Sequence, residues 1–329
     1  MGRYFVSGGA GFVGSHLVAL LVARGHAVTV FDTLRQGHRA ALPPEARLVT
    51  ADLADAAALE SVVAEGPWDG VFHFAGLIEV GASMRDPLLY FRANAGLSAD
   101  LIAACLRHGV LRFVFSSSAA VYGAPARVPI VEDTPLAPTS PYGESKAMTE
   151  RVLAWASAAH GLRYAALRYF NAAGADPQGR RGEDHAPETH LIPLAIDAAL
   201  RRRPPLTLFG TDYETPDGTA IRDYVHVCDL AEAHLAALAA IEAGDLIANV
   251  GTGRGHSVRE VIAAVGRVLG RDVPVTESPR RPGDPPVLIA DPARLTARAG
   301  WTARHSDLET LIAHAAAWRV AHPAGFGDH

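Results

Sequence analysis

Val6-Ser7-Gly8-Gly9-Ala10-Gly11-Phe12-Val13-Gly14-Ser15-His16 decides the fold. An apolar run, Arg3 to Ser7, leads into it, and a stretch with apolar positions on one helical face, His16 to Arg24, follows it. The segment satisfies Gly-x-x-Gly-x-x-Gly counted from Gly8 and Gly-x-Gly-x-x-Gly counted from Gly9. Between a strand and a helix, Gly8, Gly11 and Gly14 allow a tight turn, close approach of backbone to a pyrophosphate, and close packing of helix on strand. The pyrophosphate then rests on free N–H groups at the helix N-terminus. Glycine-rich turns also arise for steric reasons alone, so the next strand matters. It runs Ala27 to Phe31 and ends in Asp32, 18 residues beyond Gly14. A carboxylate there hydrogen-bonds the ribose 2′-hydroxyl of NAD and repels a 2′-phosphate. Arg35 keeps an NADP reading open. Asp52-Leu53, after the third strand, is placed to face the adenine, and Asp52 reads alternatively as a helix N-cap before Ala56.

Working outward, short apolar runs alternate with helical stretches. Strands are expected at Arg47 to Thr50, Val71 to Phe74, Leu111 to Ser116 and Tyr164 to Tyr169. Helices are expected at Ala56 to Ala64, Pro87 to His108 and Tyr142 to His160. Continuous apolar strands separated by helices imply a parallel sheet covered on both faces, wound right-handedly. The expected fold class is α/β, a doubly wound parallel Rossmann sheet with a smaller C-terminal α/β substrate domain. Residues 1–172 read as the NAD-binding domain, also receiving parts of 229–250, and 173–329 as the second domain. Gly174 to Glu188 reads as a polar loop. Helices are expected at Ile192 to Arg202, Leu230 to Ala243 and Val258 to Leu269, with short strands near Leu206 to Phe209 and Asp223 to His226.

Composition narrows the class without naming an activity. In 329 residues, 30 Lys and Arg against 35 Asp and Glu leave a net charge of −5, which carries no nucleic-acid footprint. Two cysteines, Cys105 and Cys228, make no disulfide framework and suit a reducing, cytoplasmic setting. Apolar runs such as Leu17 to Ala23 fall far short of the roughly 18 residues of a membrane span. The 15 histidines form no metal-ligand spacing, with His185 and His190 five apart in a loop, so no metal is expected.

The chemistry gathers around Ser140-Pro141-Tyr142-Gly143-Glu144-Ser145-Lys146. Pro141 suits a helix start, and Tyr142 and Lys146, four apart, share one helix face. A phenol is a poor base at pH 7, since its ordinary pKa is about 10. A nearby ammonium and a positive nicotinamide both favour the phenolate. Ser116-Ser117-Ser118 ends a strand at the edge where such sheets bind ligands, and only one of the three hydroxyls is needed for chemistry.

With these residues the chain resembles the UDP-glucose 4-epimerases of the extended short-chain dehydrogenase/reductase family, from Tyr4 to about Pro323. The resemblance is carried by the glycine turn, Phe72 to Gly76, Ser116 to Gly123 and Ser140 to Lys146. Leu167 to Asn171, Gly218 to Val227 and Arg280 to Pro285 carry it further. It implies a catalytic Ser118, Tyr142 and Lys146. It implies tightly held NAD lined by Phe12, Val13, Asp32, Asp52, Leu53, Phe74, Ala75, Gly76 and Phe170. It also implies a UDP-sugar held by Ser118, Asn171, Leu191, Phe209, Arg222, Arg281 and Asp284. The implied reaction inverts C4 through a 4-keto sugar that turns about its diphosphate link, in an enzyme that is often a homodimer. Sibling dehydratases place Asp-Glu, and decarboxylases a Glu, where this chain has Ala119-Ala120, and methyl groups move no protons. Departures are Ala93, where an Asn is common, and Ile78, where some relatives have a cofactor lysine. Leu288 occupies a position that is a large Tyr in hexose-restricted members, which implies partial use of UDP-N-acetylglucosamine. Other UDP-sugars (xylose and arabinose, or glucuronate) and a non-catalytic NAD-binding regulator stay open as alternatives.

Overall fold

The computed structural model describes residues 1–281 and 283–327. Pro282, within the Arg280 to Pro285 motif, and positions 328–329, at the end of the expected second domain, lie outside the described residues. Strands β1 (Arg3–Ser7), β2 (Ala27–Asp32), β3 (Arg47–Thr50), β4 (Gly70–His73), β5 (Arg112–Ser118) and β6 (Arg163–Tyr169) lie in one parallel sheet. Four short strands follow in the chain: β7 (Asn171–Ala173), β8 (Leu206–Phe209), β9 (Ile221–Arg222) and β10 (Tyr224–His226). Then β11 (Leu246–Val250) returns to the large sheet beside β6, giving the order β11-β6-β5-β4-β1-β2-β3. The order reverses between β1 and β4, so a crevice opens at their carboxyl ends, where doubly wound sheets bind ligands.

Helices cover both faces because the strands are apolar on both. On one side α1 (Phe12–Ala23) packs through Leu17, Val18 and Leu21 against Val6, Val30 and the later α8 (Val227–Ala240). On the other side α2 (Ala56–Val63), α5 (Leu97–Arg107) and α6 (Pro141–His160) bury Leu59, Leu101, Cys105 and Leu153 on Phe5, Phe113 and Phe115. The helix expected at Pro87 to His108 runs without a gap from Pro87 to Arg107 but is not α throughout. After α3 (Val80–Arg85) it divides into α4 (Pro87–Tyr90), a π-turn at Phe91–Gly96, and α5. The π-turn frees the Asn94 carbonyl, which accepts from the Ser98 and Thr149 hydroxyls.

The later part has its own core, built by α7 (Leu191–Ala199), α9 (Val258–Leu269) and α11 (Leu308–Ala321), with α10 (Ala293–Ala299) against the large sheet. Short strands without a counterpart in the sequence reading are β7 and β9 above, and β12 (His256–Ser257), β13 (Val275–Ser278) and β14 (Val287–Leu288). They are two to four residues long and partly exposed, so no apolar run announces them. Asp223 separates β9 from β10, the strand expected at Asp223 to His226. Its carboxylate accepts N–H groups from Thr252, Gly253 and Ala290.

A buried polar network ties α6 to the sheet. Glu150 accepts from Arg168 through Nε at 2.9 Å and Nη2 at 2.6 Å, and from the Ser117 hydroxyl at 2.6 Å. Arg168 Nη1 reaches the Tyr122 hydroxyl and the Glu132 carbonyl. Both ionic side chains are 4% exposed. Removing one partner strands a charge in the core. Glu150→Leu should therefore cost about 3–5 kcal/mol, read as a lowered urea midpoint.

Candidate active site

The turn after β1 is sterically determined. Gly8 has φ +71°, and a Cβ there would meet the Ala75 nitrogen at 2.4 Å. A Cβ on Gly14 would lie 2.3 Å from the Gly8 carbonyl oxygen. Gly11 differs, because its Cβ would meet only that oxygen, at an ordinary 3.5 Å. Gly11 is also the N-cap of α1, and no side chain caps the first turn. Phe12, Val13 and Gly14 thus offer first-turn N–H groups without a side-chain acceptor, the donor set an anionic pyrophosphate requires. Phe74 and Ala75, leaving β4, both donate to the Ser7 carbonyl, so Phe74-Ala75-Gly76 lies directly beside the turn.

Asp32 ends β2 with its carboxylate accepting Ala10 N–H and Leu34 N–H, each at 2.9 Å. Burial pushes its carboxyl upward while these N–H groups pull it back. Asp52 pairs with exposed Arg35 at 3.1 Å. It is not the cap of α2; Asp55 is, accepting from Ala58 N–H. Leu53 is buried in the core beneath α2, and Phe74 packs with its ring 4.7 Å from His234. Phe170 is buried with Ala119, Tyr122 and Ala147.

α6 starts where Ser140 accepts Gly143 N–H and Pro141 supplies the first turn. A side chain on Gly143 would strike the Ala120 carbonyl at 2.5 Å, so glycine lets the helix approach the end of β5. This buries Tyr142 to 7% and Lys146 to 3% exposure. Lys146 Nζ donates to the Ser116 carbonyl at 2.9 Å and lies 5.9 Å from the Tyr142 ring centre. The three serines differ in their partners. Ser116 donates to the Tyr169 hydroxyl and Ser117 to Glu150, while the Ser118 hydroxyl accepts Ala120 N–H and lies near enough to Tyr142 to lower its pKa.

Electrostatically the chain alone does not activate the phenol as expected. Burial raises the Tyr142 pKa above its ordinary value, Tyr169 adds to the rise, and the Ser118 hydroxyl only partly offsets it. Burial lowers the Lys146 ammonium to about 8. The burial that excludes water also disfavours both charged forms, so further positive charge must arrive with a ligand.

Asn94 was not among the expected site residues. It is 2% exposed; its amide bridges both main-chain groups of Leu77 and donates to the Ser145 hydroxyl at 3.1 Å. It thereby joins the segment after β4 to the helix bearing Tyr142 and Lys146. An amide set between Ala93 and Ala95 was the available signal.

The expected substrate residues form separate groups. Asn171 begins β7, beside β10, and half-buried Leu191 begins α7. Arg222 is bonded to the Asp284 carboxylate, and Leu288 is its neighbour across β9 and β14. Leu288 also packs against the group containing Phe170 and Ala119. Arg281 is exposed with its guanidinium 4.1 Å from the Phe209 ring centre, whereas Arg280 is engaged by Asp212. A cavity of about 990 Å³ lined by Arg254, Trp301 and Arg304, among others, contains none of these residues.

A glycine turn at a topological switch point, an acid ending the next strand, and a buried Tyr–Lys pair at the same sheet edge define a Rossmann-fold enzyme of the short-chain dehydrogenase/reductase class. The chain belongs to the NAD dependent epimerase/dehydratase family, whose pattern matches residues 4–251. It is 50% identical to the UDP-glucose 4-epimerase of Azospirillum brasilense over 96% of this chain and 91% of that one. It is 46% identical to that of Lacticaseibacillus casei, over 98% of both. Among solved structures it resembles UDP-glucose 4-epimerase from Brucella ovis in complex with NAD, with TM-score 0.93 and 47% identity, covering 96% of this chain and 98% of that one. It also resembles the Bifidobacterium longum enzyme in complex with NAD+ and UDP, with TM-score 0.93 and 35% identity, covering 98% and 99%.

The glycine geometry separates folding from binding. Gly11→Ala should keep the melting temperature of the parent yet lose NAD affinity by about tenfold, roughly 1.4 kcal/mol, because its methyl group enters the anion's space. Gly14→Ala should lower the melting temperature itself. Calorimetry with titrated NAD distinguishes the two.

Proposed function

We propose that this chain is an isomerase that interconverts UDP-galactose and UDP-glucose by inverting C4, using NAD that stays bound. The observation that carries the reading is the buried Tyr142, close to Ser118 and flanked by Lys146, at the same carboxyl edge of the parallel sheet as the uncapped N-terminus of α1. Ala119 and Ala120 next to it offer no group for the additional proton transfers of elimination. The relatives named above support the hexose reading over the pentose, uronate and regulator alternatives.

When bound on the glycine turn, NAD would supply a reversible hydride acceptor. Tyr142 takes the proton of the sugar 4-hydroxyl and returns it to the inverted alcohol, while Ser118 orients that hydroxyl. Lys146, fixed by the Ser116 carbonyl, supplies a positive field that favours the phenolate. Asp32 holds the adenosine ribose. Arg222 and Arg281 hold the diphosphate, with the guanidinium fork suited to phosphate oxygens. Arg222 already has an acidic partner in Asp284, so substrate phosphate competes with that carboxylate or shares the arginine with it. The sugar turns in the space bordered by Leu288. In this reading residues 1–172 with 229–250 hold the cofactor, and most of the remainder closes on the UDP-sugar.

Incubated with UDP-galactose and no added NAD, the purified protein should yield UDP-glucose, read by NMR. Tyr142→Phe should lower kcat by about 10²–10⁴ while retaining NAD. Lys146→Met should move the rising limb of the pH profile to higher pH, because loss of the cation raises the Tyr142 pKa and the base form appears later.

No helix of the described residues is long and apolar enough to cross a membrane. Both cysteines are free, and burial raises each thiol to about 12, which supports a reducing cytoplasmic setting. A homodimer is supported by apolar side chains left exposed on neighbouring helices: Met84 and Leu88 on α3 and α4, and Met148 and Trp155 on α6, with Leu88 and Trp155 each 77% exposed. Sedimentation should give twice the chain mass, and Trp155→Glu should return it to the monomer.

A further inference from the structure

The loop from Gly174 to α7 contains a group of side chains that the proposed reaction leaves unused. Glu183, His185, Glu188 and His190 each turn one ligand atom inward, and all four atoms lie within 4.8 Å of one another. They fall within eight consecutive positions, and the path of the loop turns their ligand atoms together. We propose that these four residues bind one divalent transition-metal ion, with zinc the best match, in a closed structural site.

Distances support this. His185 Nδ1 lies 3.4 Å from Glu183 Oε1 and 3.7 Å from Glu188 Oε2, and His190 Nδ1 lies 2.7 Å from Glu183 Oε1. A tetrahedral zinc with ligands at about 2.0–2.2 Å has edges of about 3.4 Å, so modest side-chain adjustment suffices. His185 Nδ1 and Glu188 Oε2 are buried without a hydrogen-bond partner and face each other across the cluster. The Glu188 side chain is nine-tenths buried, and its other oxygen already accepts the Thr189 and His190 N–H groups. One oxygen is therefore occupied in holding the loop and the other is left for a ligand.

The chemistry of the set selects the ion. Two imidazoles with two carboxylates suit zinc and its neighbours and argue against calcium or magnesium, which take all-oxygen shells. Four protein ligands leave no open position, as in structural rather than catalytic sites. Two buried carboxylates need two compensating charges, and one dication supplies both without two protonated imidazoles. The nearby Arg180 and Arg181 are already engaged by Asp176.

The scaffold is braced before any ion binds. The Asp184 carbonyl meets His38 Nε2 at 3.1 Å, and its carboxylate accepts Phe326 N–H. Gly182 is so close to Trp318 that a Cβ would lie 2.3 Å from the ring. His185 packs edge-on to Phe12 at the start of α1, and His190 caps α7 directly before Leu191. An ion here would staple the loop between the glycine-turn helix and the helix that begins with Leu191.

The test uses the full chain with its NAD. Protein purified from zinc-supplemented medium should contain one zinc per chain by plasma mass spectrometry. EDTA should lower its melting temperature, and added zinc should restore it. Cobalt substituted for zinc should give the strong visible absorption of a tetrahedral site, a readout independent of any variant. Glu188→Gln and His185→Gln, each close in volume to the residue replaced, should lose the metal and the zinc-dependent part of the melting temperature. Metal content far below one per chain overturns the proposal. So does a melting temperature indifferent to zinc and EDTA, or zinc retained by both variants; the cluster is then a set of histidine–carboxylate ion pairs.

Discussion

The buried pair of Glu150 and Arg168 is the constraint on which the geometry of the catalytic edge depends. α6 carries Tyr142 and Lys146, and its rotation about its own axis decides whether they face the sheet. Glu150 lies two turns beyond Tyr142 and is held from three directions: by the Arg168 guanidinium from β6, by Ser117 from β5, and through Arg168 by Tyr122 and the Glu132 carbonyl. These bonds have little freedom in a dry interior, so they set helix position more sharply than apolar contacts alone would. Gly143 completes the arrangement by letting the first turn of the helix approach the Ala120 carbonyl. A second polar chain serves the adjoining strands. His73, held neutral by burial that lowers it to about 3, bridges the Ser7 hydroxyl of β1 and the Ser98 hydroxyl of α5.

The same burial explains why chemistry at this edge needs its cofactor. Burial disfavours a phenolate and an ammonium alike: Tyr142 rises and Lys146 falls. The ligand-free protein therefore keeps its base in the protonated form. In the proposed reaction a positively charged ring near Tyr142 would lower the cost of the phenolate, each unit of pKa corresponding to about 1.36 kcal/mol of such interaction. Activity would in this way be coupled to an occupied cofactor site by electrostatics.

How much was legible depended on whether a signal was local. The glycine turn, Asp32 and the Tyr142–Lys146 spacing are short-range features with steric or periodic reasons, and the strands of the parallel sheet are runs apolar on both faces. Asn94 escaped because its value lies in bonds to Leu77 and Ser145, 17 and 51 residues away. The π-turn around it escaped because the chain stays helical through it, with Gly96 as its single glycine or proline. The strands β12 to β14 escaped because two or three ladder bonds, and not an apolar run, make them.

By itself the sequence determined the class of fold, the place of the dinucleotide turn and the identity of the Tyr–Lys pair, since each rests on residue types at fixed local spacing. Only the tertiary structure decided that Ser116 and Ser117 are engaged by Tyr169 and Glu150, that Arg222 is bonded to Asp284, and that two glutamates and two histidines of one loop converge. Those outcomes depend on how strands align and how a loop closes. The first two are set by packing between segments far apart in the chain; the third is local in sequence, but the path of that loop is held by His38, Trp318 and Phe326, which are distant.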